Sequence, residues 1–386
     1  MVMKLWTVLI GAVGLLLAVS LPADAGASSD ADRADYIIVF SGRANFGLEQ
    51  AAIASAGGQV FFTYEAALNG VAVSLPKAAL NGLKNRPDIA SIELDGPVTT
   101  QDTQSGATWG LDRIDQRALP LNSSYQYNFA GLYGTSAVDA YIIDTGILSS
   151  HVEFTGRVRA GYSSIKDRYG TEDCNGHGTH VSGTVGGTTY GVAKKVRLTP
   201  VRVLDCKGSG SWSGVLAGID WVVSNHQAGV PAVANMSLGG GVSSAVDTAV
   251  SNMIADGVVV AVAAGNSNAD ACASSPARVP GAITVGATTS SDARASFSNY
   301  GTCVDIFAPG NSITSAWNRS KTSTNTISGT SMASPHAAGV AALLLSENQT
   351  LSVQSVVDLM MSRATNGVVV GAGTGSPNRL LYSLAS

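Results

Sequence analysis

Val138-Asp-Ala-Tyr-Ile-Ile-Asp144 is a short apolar, β-branched run that stops on a carboxylate. Runs of the same kind return at 196–204, 232–236, 258–263 and 282–285, with helical patterns between them at 211–225, 243–255 and 331–345. Near-continuous apolar strands are strands covered on both faces. Alternating with helices, they build a mostly parallel sheet between two helical layers. The region is expected to be α/β and doubly wound, with its functional groups at the carboxyl ends of the strands.

Upstream the pattern differs. Strands are expected at 36–40, 60–64, 70–75 and 89–94, and helices at 48–56 and 76–85. That β-α-β-β-α-β order suits a small α+β domain of ferredoxin-like type. Gly96-Pro-Val-Thr-Thr-Gln-Asp-Thr-Gln-Ser-Gly106 has no apolar periodicity and reads as an exposed linker. At the start, Lys4 precedes an apolar stretch to Leu21, and Ala23-Asp-Ala25 fits a small-residue cleavage site. The expected organisation is a signal peptide at 1–25, a segment 26–101 whose folded part is about 36–95, and an α/β domain at 102–386. No other stretch is apolar for long enough to span a bilayer, so a secreted product without lasting membrane association is expected.

The chain of 386 residues is 45% hydrophobic and 13% charged, with a formal net charge of −4. Low charge without charge runs argues against disorder, and the negative balance argues against a nucleic-acid partner held by phosphate attraction. The four cysteines, Cys174, Cys206, Cys272 and Cys303, make two disulfides the natural reading in an oxidising compartment. Three connectivities are possible, and spacing does not choose among them.

Three motifs carry chemistry. Asp144 ends a buried strand, His177 opens an apolar segment in Asn175-Gly-His-Gly-Thr-His180, and Ser331 begins the most apolar helix in Gly329-Thr-Ser-Met-Ala-Ser-Pro-His336. A serine hydroxyl is a weak nucleophile until a neutral imidazole takes its proton, and a buried carboxylate fixes the imidazole tautomer. An attacked carbonyl also needs donors for its developing oxyanion. The helix start at Ser331 offers one, and Asn266 in Ala263-Ala-Gly-Asn266 offers another. Taken singly, each residue is more often a cap or a turn former. His177 and His180 lack an acidic partner at zinc-site spacing. The constellation, not any one member, makes the argument.

With Trp109-Gly-Leu-Asp-Arg-Ile-Asp-Gln-Arg117, Val201-Arg-Val-Leu-Asp-Cys206, Ala234-Asn-Met-Ser-Leu-Gly-Gly-Gly241 and 290–300, these motifs resemble the subtilases. Within them the resemblance is to the proteinase K branch and its aqualysin-like secreted bacterial members. The order Asp, His, Ser is subtilisin's own. The resemblance covers about 101 to the C-terminus, while 36–100 resembles the inhibitor-like propeptide of the same family. It implies a secreted serine endopeptidase with Asp144, His177 and Ser331 as triad and Asn266 as oxyanion donor. It implies that Gly208, Ser209 and Gly210 and the facing Ser237, Leu238 and Gly239 sandwich an extended peptide. Ala263, Ala264 and Gly265 would wall a primary pocket suited to an apolar or aromatic residue, and Trp212 would flank a further one. The implied disulfides are Cys174–Cys206 and Cys272–Cys303. Structural calcium is implied at Asp305 with the carbonyls of Pro280 and Ala282, and again around Asp112, Asp115 and Gln116. At the second site, Asn122 and Ser124 stand where relatives often carry Asp and Asn, which counts against it. No organic cofactor is expected. The partners are protein substrates and the chain's own propeptide as an inhibitor, released by a cut near Gln101–Asp102, and the enzyme is expected to be a monomer. A catalytically silent binding protein of subtilase type and a secreted esterase are the alternatives. No G-x-S-x-G elbow is present to favour the second.

Overall fold

The computed structural model describes residues 33–41, 45–95, 102–127 and 138–384. The export segment 1–25 and Gln101 lie outside the described residues. The chain divides into two compact units, Met1–Val98 and Thr99–Ser386.

The small unit is a four-stranded antiparallel sheet in the order Gln59–Tyr64, Gly70–Pro76, Arg33–Phe40, Ile89–Leu94. Helix Phe46–Ser55 closes one side, and Ile38, Val71, Val73 and Leu75 of the sheet share a core with its Ile53. The helix expected at 76–85 is shorter. Pro76 ends a strand, Lys77–Ala79 make a 3₁₀ turn, and only Leu80–Lys84 is α-helical. Proline fixes the entry, and Gly82 in the middle of the segment weakens helix propagation.

In the large unit the chain order of the main strands is β1 Asp139–Asp144, β2 Arg197–Arg202, β3 Ala232–Met236, β4 Val258–Ala263, β5 Ile283–Thr288 and β6 Ile306–Pro309. Their order in space is β2-β1-β3-β4-β5-β6, all parallel. Tyr162–Ser163 extends one edge and Arg379–Leu380 with Thr365–Asn366 the other, the last pair antiparallel. Side chains alternate across the sheet. Ala140 and Ile142 enter a core beneath helices α1 (His177–Gly186) and α4 (Thr330–Glu347). Tyr141 and Ile143 enter a second core beneath α2 (Trp212–Asn225) and α3 (Ser244–Ala255). The chain leaves β1 toward β2 on one side and returns to β3 on the other. The sheet therefore switches direction at β1, whose last residue is Asp144.

The structure adds elements that the pattern did not show. Asp102–Ser105, inside the expected linker, pairs with Ser124–Tyr127. Helix α1 carries three glycines in ten residues, Gly178, Gly183 and Gly186. Tight packing needs them: a Cβ at Gly178 would lie 2.1 Å from the Gly146 carbonyl oxygen, and one at Gly186 would lie 2.4 Å from Val196. Helix α4 approaches the α1 end as closely. A Cβ at Gly339 would fall 2.5 Å from Val192 Cβ and 3.2 Å from the Val185 carbonyl. Gly339→Val, made in a Ser331→Ala background to prevent self-digestion, should lower the urea midpoint by the equivalent of about 1–3 kcal/mol. An unchanged midpoint would show slack at this contact.

Candidate active site

The carboxylate of Asp144 emerges at the switch point of the sheet and is fully buried. Its Oδ1 accepts the Thr145 N–H at 2.7 Å, and its two oxygens lie 2.8 and 3.0 Å from His177 Nδ1. That contact makes Nδ1 the protonated nitrogen, leaving Nε2 as the basic one. His177 is the first residue of α1 and its side chain is a quarter exposed. Desolvation disfavours its charged form, but the charge and hydrogen bond of Asp144, with a further contribution from Asp173, outweigh this and raise its pKa above 6.5.

Asp173 is a residue the sequence reading passed over. It is buried and carries five hydrogen bonds. Oδ1 accepts Thr145 Oγ1 (2.9 Å), Asn175 N (2.8 Å) and Gly176 N (2.9 Å). Oδ2 accepts Thr179 N (2.8 Å) and Thr179 Oγ1 (2.6 Å). Thr145 Oγ1 also receives Gly178 N at 2.8 Å. One carboxylate thus laces the end of β1 to the first turn of α1, and so holds Asp144 against His177. The disulfide Cys174–Cys206, with Cα atoms 4.9 Å apart, ties the same loop to the segment after β2. Cys272 pairs with Cys303.

Ser331 is the second residue of α4. Its Oγ donates to the Ser237 carbonyl at 3.1 Å, and Ser237 Oγ donates back to the Ser331 carbonyl at 2.8 Å. No hydrogen bond joins Ser331 Oγ to His177. Ser237 lines the same cleft as His177, so the serine sits at the edge of the space the imidazole faces. A loose nucleophile–base contact is common before substrate binds. Asn266 spends Oδ1 on Thr330 N (2.8 Å) and Thr330 Oγ1 (2.9 Å). A Cβ placed on Gly329 would be 3.5 Å from Asn266 Nδ2 and 3.6 Å from Ser331 N, so both donors converge on one small space. Asn299, also unread in the sequence, pins this loop. Its Oδ1 accepts Ser267 N and Ala269 N, and its Nδ2 donates to the Ala264 carbonyl. Gly265 needs positive φ (104°), and any Cβ there would strike Asn299 Nδ2 at 2.4 Å.

Two cavities flank the segment Leu238–Gly240. The larger, about 770 Å³, contains His177, Gly208, Ser209, Gly210, Trp212 and Ser237. The smaller, about 270 Å³, lies beside Ser331 and is walled by Ala263, Gly265, Ser267 and Asn299. Ala264 does not wall it, contrary to expectation. It is fully buried and packs in a separate core with Ala271, Ala277 and Val304, because neighbours leaving a strand point to opposite sides.

The cation-site expectations can be tested on their donors. Asp305 is half-buried next to Thr284, whose N–H it accepts at 2.8 Å. Burial, opposed by that bond and by Arg379, pushes its pKa up to about 6. Asp112 gives both oxygens to Asn122 N and Ser123 N. Asp115 gives Oδ2 to Gln126 N, while its buried Oδ1 has no partner, and its pKa rises to about 6 through burial and the nearby Asp112 charge. Gln116 Nε2 is turned to the carbonyls of Ala118 and Pro120, and Asn122 Oδ1 accepts from Ser124. Hard oxygen donors with an orphaned buried carboxylate oxygen fit a divalent cation. Among the described residues, one His/Cys/acid cluster has ligand spacing, Asp167 with Cys174 and Cys206, and its two sulfurs are bonded to each other.

The Subtilase family (peptidase S8) matches residues 140–380. An extracellular serine proteinase of Thermus sp. is 60% identical over 327 residues, covering 85% of this chain and 78% of the relative. Alkaline serine exoprotease A of Vibrio alginolyticus is 53% identical over 332 residues; the match covers 84% of this chain and 60% of that protein. Among solved structures, a cold-adapted subtilisin-like serine proteinase aligns with TM-score 0.69 and 56% identity, covering 73% of this chain and all of that one. Titration of His177 by imidazole-proton NMR in the Ser331→Ala protein should give a pKa above 6.5, lowered in Asp173→Asn. An unshifted value in the folded double variant would remove Asp173 from the electrostatics of the site.

Proposed function

The chain belongs to the subtilase family and is a serine endopeptidase, and from that premise we propose how its own residues carry the reaction. Neutral His177 Nε2 takes the Ser331 proton as Oγ leaves Ser237 and attacks the peptide carbonyl. Asp144, fixed through Thr145 and Asp173, stabilises the imidazolium that results. Asn266 Nδ2 and Ser331 N hold the oxyanion, and the imidazolium then protonates the leaving amine. Water, activated in the same way, releases the acyl group. Gly208–Gly210 and Ser237–Gly239 bind the substrate backbone as an added strand, and the small cavity takes an apolar or aromatic side chain. The observation that supports this reading most directly is the Asp144–His177 contact at 2.8 Å, with two donors converging separately at Gly329.

The same proposal makes 1–25 a signal peptide and 26–101 a propeptide that assists folding and blocks the cleft until a cut near Gln101–Asp102. The name of the Thermus relative supports export. No helix of the described residues is long and apolar enough to cross a membrane. Ser331→Ala should hydrolyse no peptide substrate and should accumulate as uncut precursor. Normally processed protein from that variant would refute self-cleavage, and residual full activity would refute the nucleophile.

Calcium is proposed as a structural ion, held by Asp305 with the carbonyls of Pro280 and Ala282, and at the second site by Asp115 with Asp112. Bound there, it would neutralise carboxylates that burial otherwise disfavours. The sign follows from the raised pKa values. Without a cation, Asp305 and Asp115 favour the folded state below about pH 4 and lose that contribution as pH rises through about 6. The melting-temperature difference between calcium and chelator should therefore be larger at pH 8 than at pH 5. Equal differences at both pH values would contradict it.

A further inference from the structure

The large cavity beside His177 has an electrostatic character that the peptidase reading leaves unassigned. Of the side chains lining it, Lys207 alone carries a formal charge at alkaline pH, and no carboxylate faces it from the lining. Lys207 is exposed at the tip of a tight turn. Gly208 N bonds the Asp205 carbonyl at 3.0 Å, Asp205 N bonds the Ser209 carbonyl at 2.8 Å, and Gly208 takes φ 76°. Cys206 fastens the turn to Cys174, and Asn175 Nδ2 donates to the Cys206 carbonyl at 3.1 Å. The neighbouring Asp205 accepts Lys207 N (2.8 Å) and Ser209 N (3.0 Å) through Oδ1, and its charge attracts Lys207 without an ion pair forming. Among the described residues, Lys207 forms no ion pair. Its backbone is fixed and its exposed ammonium makes no direct ion pair, one residue before the segment that would carry the substrate backbone.

An extended peptide sends successive side chains to opposite sides. The residue whose carbonyl meets Ser331 drops into the small cavity, so the residue before it turns to the other side of Leu238–Gly240, where Asn175, His177 and Lys207 stand. We propose that Lys207 makes this cleft select peptides with an acidic side chain at that preceding position, P2. This rests on the peptidase reading and adds a substrate class to it. The other polar side chains of the cavity, among them Asn175, Ser209, Ser211 and Ser237, are neutral and supply no competing preference.

The test uses mature enzyme at pH 8 with peptide pairs that differ only in Glu or Gln at P2, and a second pair with the change at P4. The Glu peptide at P2 should have the higher kcat/KM, by about two- to five-fold, as for an exposed ion pair. The ratio should fall toward one in molar salt. Lys207→Gln should abolish the preference and Lys207→Glu should reverse it toward Lys at P2, with the all-neutral peptide cleaved at its usual rate. Equal rates for Glu and Gln in the wild type, a preference that survives Lys207→Gln, or an effect confined to P4 would each overturn the proposal. Cleavage of no peptide at all would instead defeat the peptidase reading.

Discussion

The Asp144 carboxylate is buried at the point where a parallel sheet changes direction, and most of the site follows from giving its oxygens partners there. A carboxylate left without hydrogen bonds at that depth is costly. Thr145 N and the His177 ring supply its hydrogen bonds, and both are held by a second buried carboxylate, Asp173. The arrangement is a hierarchy: backbone N–H groups and threonine hydroxyls stabilise Asp173, Asp173 orders the loop and the start of α1, and that order brings the imidazole to Asp144. The Cys174–Cys206 bridge acts on the same loop from outside, by limiting the chain entropy that its ordering must overcome.

What the sequence made legible were residues whose type is scarce and whose position is marked. Asp144 stops a buried run, Ser331 opens the most apolar helix, and Asn266 follows a strand through a glycine. The small domain was legible because its strands are rich in β-branched and aromatic residues. Asp173 and Asn299 escaped because they act on backbone N–H groups several residues away, and such partnerships leave no periodicity. A carboxylate four residues before a histidine at a glycine-rich helix start was the only available sign of Asp173. Helix α1 itself was hidden, since Gly178, Gly183 and Gly186 oppose helix formation and are explained only by neighbours that arrive from Gly146, Ser315 and Val196. Strand β6 is four residues long and ends in proline, too short for pattern to declare. Ala264 shows the reverse error, a motif read as one wall when strand alternation places its middle residue behind the pocket.

Helix α4 meets the end of α1 through a glycine, Gly339, and the consequence reaches the chemistry. Helix α1 begins with His177 and α4 with Thr330-Ser331, so the distance between the proposed base and nucleophile follows from how closely two helices pack. Close approach at Gly339, where an added Cβ would lie 3.2 Å from the Val185 carbonyl of α1, helps set that spacing without any side chain from the site taking part.

The strip Leu238–Gly240 serves as a wall for both cavities. In the proposed binding mode, two adjacent side chains of a bound chain would be judged against opposite faces of one thin backbone ribbon. Selectivity in such a design is not a sum of independent letters: an enlargement that broadens the choice on one face displaces the ribbon toward the other. Engineering for new cleavage preferences would have to treat the two neighbouring positions as a single word.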